Sequence, residues 1–217
     1  MDIAHAIQTL CVYAFPMIFA ITLHESAHGW AAERLGDRTA RALGRVTVNP
    51  LPHIDMMGTI IVPGVTLLVA TLSGMGPLLF GWAKPVPINP WNFRNPKAGM
   101  GITAAAGPLS NLLQAVCWAL LLKVLVSVGI HERFFLEVAV AGIQVNVVLM
   151  ALNLIPLLPL DGGRIVRSVL PEKIGREFDK TERWGFMILL LLLAFNGLWY
   201  VVAPFIRAGQ WVVNLIL

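Results

Sequence analysis

His24-Glu25-Ser26-Ala27-His28 interrupts an otherwise apolar run at residues 6–31. On a helix, histidines four apart stand one turn from each other on the same face, the geometry that grips a zinc ion. Glu25 lies beside the pair, where a carboxylate can handle the proton of a water activated by the metal. Ionisable groups inside a membrane segment are costly, and three within one turn need a compensating partner. A bound Zn2+ supplies it.

The rest of the 217-residue chain fits a bilayer as solvent: 57% of it is hydrophobic and 13% charged, against about 25% charged in ordinary soluble domains. Apolar stretches at 6–31, 57–80, 100–126, 136–160 and 185–206 each approach the ~20 residues that a span needs. The expected fold is therefore an all-α polytopic membrane protein, one domain over residues 1–217. Four to five membrane-spanning helices and one re-entrant element are expected. Met1-Asp2-Ile3-Ala4-His5 has no basic n-region, and cleaving a leader would discard the histidines, so the first segment is read as retained. Cys11 and Cys117 lie in apolar segments without a C-x-x-C pairing and read as small hydrophobes.

Two histidines leave a zinc site incomplete, and Asp161 at the end of the fourth stretch is the best third ligand. With it, one zinc per chain keeps a position open for water. Ligands must meet at one depth, so the first and fourth segments should run in the same direction. One of the two stretches between them then does not cross. The weaker is 57–80, broken by Pro63-Gly64 and by Gly74, Gly76 and Pro77, which reads as re-entrant. That topology collects 13 of the 16 Lys and Arg residues on one face, leaving Lys123, Arg133 and Arg207 opposite. The crowded face is then cytoplasmic and the N-terminus external. The net charge of +4 belongs to this membrane face and implies no nucleic acid. Gly162-Gly163 is expected to end the fourth helix, and Pro156 and Pro159 each remove an intrahelical hydrogen bond.

Gly44-Arg45-Val46-Thr47-Val48-Asn49 alternates as a short β-strand would, and its edge could pair with an extended substrate near the site. Asn111, Gln144 and Asn146 read as interhelical hydrogen-bonding groups. His53 and Asp55 either occupy a solvated turn or hold a second metal, the turn being favoured. The tail 207–217 is expected along the interface.

His24-Glu25-x-x-His28, Ala106-Gly107-Pro108, Asn153-x-x-Pro156 and Leu160-Asp161-Gly162 together resemble the site-2 proteases, intramembrane zinc metalloproteases. The likeness spans about residues 15–165. The Asn49-Pro50 region and Gly81-Trp82-Ala83-Lys84-Pro85-Val86-Pro87 resemble the small prokaryotic branch. The resemblance implies that His24, His28 and Asp161 ligate zinc, that Glu25 is the catalytic acid and base, and that Asn153 assists near the reacting carbonyl. It further implies a zinc endopeptidase of the cell membrane, with its site toward the cytoplasm and transmembrane proteins as substrates. A metal transporter would instead trail polar residues through both bilayer halves or carry an inverted repeat; neither is seen. A zinc-bound scaffold without activity is a third reading that the sequence does not strictly exclude, though the retention of Glu25 argues against it.

Overall fold

Helices that are apolar on every side have no wet face to present and suit a lipid surrounding. Three such helices form the centre of the computed structural model, which describes residues 3–62, 65, 84–195 and 197–217. The first, α1 (Ile3–Leu35), is followed by a short α2 (Thr39–Ala42). Irregular turns then lead to the second long helix, α3 (Pro96–Ser127), which Asn95 caps by accepting from the Ala98 N–H, with Pro96 in the first turn. That pairing of an Asn cap with Pro at the start satisfies one orphan donor and removes another. The third is α4 (Arg133–Asn153). Beyond it come α5 (Asp161–Val169), α6 (Glu172–Asp179), α7 (Glu182–Ala194) and α8 (Leu198–Asn214).

Gln8–Leu35, Pro96–Ser127 and Arg133–Asn153 are long and apolar enough to cross a membrane, and α7 with α8, bent by 92°, would make a fourth as a broken span. The described residues thus hold three candidate spans, or four with the bent pair, which meets the lower end of the four to five expected. Most of the 57–80 stretch, with the re-entrant reading placed on it, lies outside them.

Side-chain hydrogen bonds give the helix directions. Tyr13 Oη donates to Gln144 Oε1 at 2.8 Å and Gln8 Nε2 to Glu137 Oε2 at 3.4 Å, so α1 and α4 run parallel. Pairing of His24 with Asn111 and of His28 with Thr103 sets α3 antiparallel to α1. The first and fourth stretches do run the same way. Small residues permit the close approach: a Cβ on Gly142 would enter the Trp118 ring, and Ala115, Ala119 and Ala151 are fully buried.

Three expectations change. Residues 46–48 form bends between the irregular Arg45 and Asn49, and no strand occurs among the described residues. Their polar groups are taken locally: Arg45 N donates to Ala40 O, Asn49 N to Thr47 Oγ1 and Arg41 Nη1 to Val46 O. Such local bonds compete with a ladder, and alternation alone supplies no partner strand. Gly162-Gly163 opens α5 rather than closing α4, which stops at Asn153. The missing N–H groups of Pro156 and Pro159 end the helix early, and a Cβ on Gly162 or Gly163 would strike the backbone of residues 154–158. The tail continues α8 into the bundle, with Gly209 against Met150 and Val147, and Val213 buried.

Candidate metal centre

Helical spacing puts the His24 and His28 rings on one face of α1, and the turn after α4 returns Asp161 to the same level. His24 Nε2 and His28 Nε2 lie 3.0 Å apart, each 3.3 Å from Asp161 Oδ2. All three residues are buried. Asp161 Oδ2 has no hydrogen-bond donor aimed at it. The cluster is the group of three or more His, Cys, Asp and Glu side chains that the described residues bring within reach of one ion.

The outer nitrogens decide whether the cluster fits a metal. His28 Nδ1 lies 2.7 Å from the main-chain carbonyl of Thr103, an obligate acceptor, so Nδ1 carries the proton. His24 Nδ1 lies 2.7 Å from Asn111 Oδ1. With both Nδ1 atoms engaged outward, the two Nε2 atoms face each other and a carboxylate oxygen. Three acceptors facing one point without a donor repel, and a cation between them removes the conflict. Two imidazoles and a carboxylate suit zinc. The residues fit the ion.

Gly107 makes that geometry accessible. It stands one turn beyond Thr103 in α3, and a Cβ there would overlap both imidazole rings. Asn111 was read in the sequence only as an interhelical polar group, and its place behind a histidine required the fold.

Glu25 is half-buried beside the pair, and its Oε2 accepts from the Val86 N–H at 2.8 Å. Residues 84–92 carry that donor as a strap held at several points. Arg45, buried, donates through Nη2 to Lys84 O at 2.5 Å and Pro85 O at 3.3 Å, and Lys84 N donates to His53 O at 3.0 Å. Asp37, wholly buried, accepts from Asn89 N at 2.7 Å, Asn92 Nδ2 at 2.8 Å, and the N–H and hydroxyl of Thr39. Burial by itself raises the Asp37 pKa; the bonds from Thr39, Asn92 and Asn89 outweigh it and hold the carboxyl below its ordinary range.

Asn153 reaches the same cavity of about 160 Å³, which His24, Glu25, His28, Asp161 and Arg164 also line. Its amide donates one hydrogen to Leu149 O at 3.0 Å, leaving the other free. His53 is not in a solvated turn. It is 2% exposed. Burial first, and the Arg45 charge second, lower its pKa. The Asp55 carboxylate instead caps the next turn by accepting from Gly58 N at 2.7 Å. The two do not form a second metal cluster among the described residues.

Residues 127–195 match the model of peptidase family M50. The chain is 35% identical over 203 residues to YwhC of Bacillus subtilis (strain 168), covering 89% of this chain and 85% of that one. It is 29% identical over 176 residues to Rip2 of Mycolicibacterium smegmatis, covering 81% of this chain and 64% of that one. Both relatives are provisionally named zinc metalloproteases. No solved structure matches the chain. The mutual approach of His24, His28 and Asp161 agrees with these likenesses, and the chain belongs to peptidase family M50, the site-2 protease family of zinc metalloproteases.

Proposed function

We propose that this zinc metalloprotease is an intramembrane endopeptidase that hydrolyses peptide bonds in or near transmembrane segments of other membrane proteins, as in regulated intramembrane proteolysis. The observation that carries the reading is the meeting of His24, His28 and Asp161 on helices long and apolar enough to cross a bilayer. The whole chain, residues 1–217, acts as a single domain and holds one zinc.

His24, His28 and Asp161 hold the ion, which when bound polarises the scissile carbonyl and lowers the pKa of the attacking water. Glu25 accepts that water's proton and returns it to the leaving amine. The Val86 N–H holds one carboxylate oxygen, keeping Glu25 oriented and its other oxygen available for the proton. Asn153 directs its free amide hydrogen to the carbonyl oxygen of the substrate. Amides of a substrate helix are already hydrogen-bonded, so the segment must unwind before attack.

The site faces the cytoplasm in this reading. Lys97 Nζ bonds to Leu170 O, and Arg41 pairs with Glu33, on the side of the bundle that carries the strap and α5. The basic residues therefore crowd the end nearest the metal cluster, which the positive-inside rule places in the cytoplasm. Water has its shortest route from there.

The test is the full chain reconstituted in liposomes with a fluorogenic transmembrane substrate, beside Glu25→Gln. Zinc-dependent cleavage by the native chain alone is expected. A native chain that retains zinc but cleaves no faster than the variant across a panel of transmembrane substrates overturns the proposal.

A further inference from the structure

Asn111 and Asn146 are both fully buried, on different helices, and neither belongs to the ligand set. Their hydrogen bonds have one direction. Asn111 Nδ2 donates to Ala20 O at 3.2 Å and to Asn146 Oδ1 at 2.9 Å. Asn146 Nδ2 donates in turn to Gly142 O at 2.9 Å, one turn back in α4. These contacts fix the Asn111 amide: rotated by half a turn, its oxygen would face the Ala20 carbonyl, acceptor against acceptor. With Oδ1 therefore toward His24, the bond of 2.7 Å requires the proton on His24 Nδ1. The sequence of donors runs from His24 to Asn111, then Asn146, then the α4 backbone.

We infer that Asn111 and Asn146 form a positioning relay that sets the tautomer and ring orientation of the metal ligand His24. The inference rests on the zinc reading proposed above. In a chain of hydrogen bonds that all point the same way, each bond polarises the next, and the effect is strongest where water is excluded. The acceptor on Nδ1 leaves Nε2 to receive the ion, and it holds the ring at the correct angle. His28 has a backbone carbonyl for this purpose. His24 has a side chain, and that side chain needs Asn146 to hold it. All three membrane-crossing helices of the centre are thereby joined behind one ligand. Among the described residues Asn146 hydrogen-bonds to Asn111 and Gly142 and to none of the three ligands, so its hydrogen-bonded route to the metal passes through Asn111.

The experiment is zinc affinity, read by chelator competition on the full chain in lipid nanodiscs, for the native protein, Asn111→Leu, Asn146→Leu and the double variant. Asn111→Leu should bind zinc about 10- to 100-fold more weakly. Asn146→Leu should lose about threefold or more in the same direction, and the double variant should lose no more than Asn111→Leu alone. Unchanged affinity in Asn111→Leu, or losses that multiply in the double variant, overturns the relay. Should Asn111→Leu not fold, judged by size exclusion and the melting of the metal-free protein, Asn146→Leu carries the test; native affinity in it overturns the relay. A native chain that takes up no zinc overturns the metal reading and this inference together, whereas tight zinc in both the native chain and Asn111→Leu overturns the relay alone.

Discussion

The main-chain N–H of Val86 donates to Glu25 Oε2 at 2.8 Å, joining residues 61 positions apart. A backbone donor holds the carboxylate through one oxygen and leaves the other for proton transfer. Glu25→Gln keeps an oxygen for Val86 and loses the basic site. Cleavage should fall by about 10²–10⁴-fold, with zinc content unchanged. Parallel measurement of turnover and bound zinc checks this; a variant that loses zinc as well would place Glu25 among the ligands.

Gly107 is where α3 touches both ligand rings. Alanine is the better helix former by about 1 kcal/mol, so Gly107→Ala should leave the metal-free helix bundle intact or firmer. Its methyl must nevertheless displace His24 or His28. Zinc occupancy after dialysis should drop at least about tenfold while metal-free melting holds. Retention of full occupancy would show that the rings can move aside.

Asp37 ties α2 to the strap that holds Glu25. Asp37→Ala strips the part-buried donors of Thr39, Asn89 and Asn92 of their charged acceptor and should cost about 1–3 kcal/mol of stability, lowering turnover through a looser Val86. The pH dependence has a definite sign. Because the folded carboxyl lies below its ordinary range, its contribution is complete above pH ~4 and disappears as pH falls through the lower folded value. Melting curves from pH 7 to pH 3 should show the gap between native and Asp37→Ala narrowing only at the acid end.

Asp161 Oδ2 is the shared partner of both Nε2 atoms. Asp161→Ala should abolish cleavage and weaken zinc severely. A strong chelator should inactivate the native chain, and added zinc should restore it. Activity that survives complete removal of metal would contradict the metalloprotease chemistry.

Much of the centre was readable from residues 24–28 and 153–162. Spacing placed both histidines on one face, and the need for a third ligand at the same depth led to Asp161 and to parallel first and fourth segments. The errors share a cause. Val46 and Val48 alternate, yet a strand exists only when another strand satisfies its backbone, and here Thr47, Ala40 and Arg41 do so. Gly162-Gly163 looked like a helix end because small residues suit both a stop and a tight approach. His53 looked wet because it lies between Pro52 and Asp55, whereas in the fold it is buried and its carbonyl accepts from Lys84 N of the strap.

By itself the sequence determined the solvent, the ligand types and the pairing of the histidines, since composition and helical period act over a few residues. The hold on Glu25, the room made by Gly107 and the donor chain behind His24 were decided by tertiary structure. The contacts made by Glu25 and His24 join residues 61 and 87 positions apart, and such contacts depend on which helix faces meet. The motif at 24–28 named a metal; the packing of α1, α3 and α4 aimed its lone pairs.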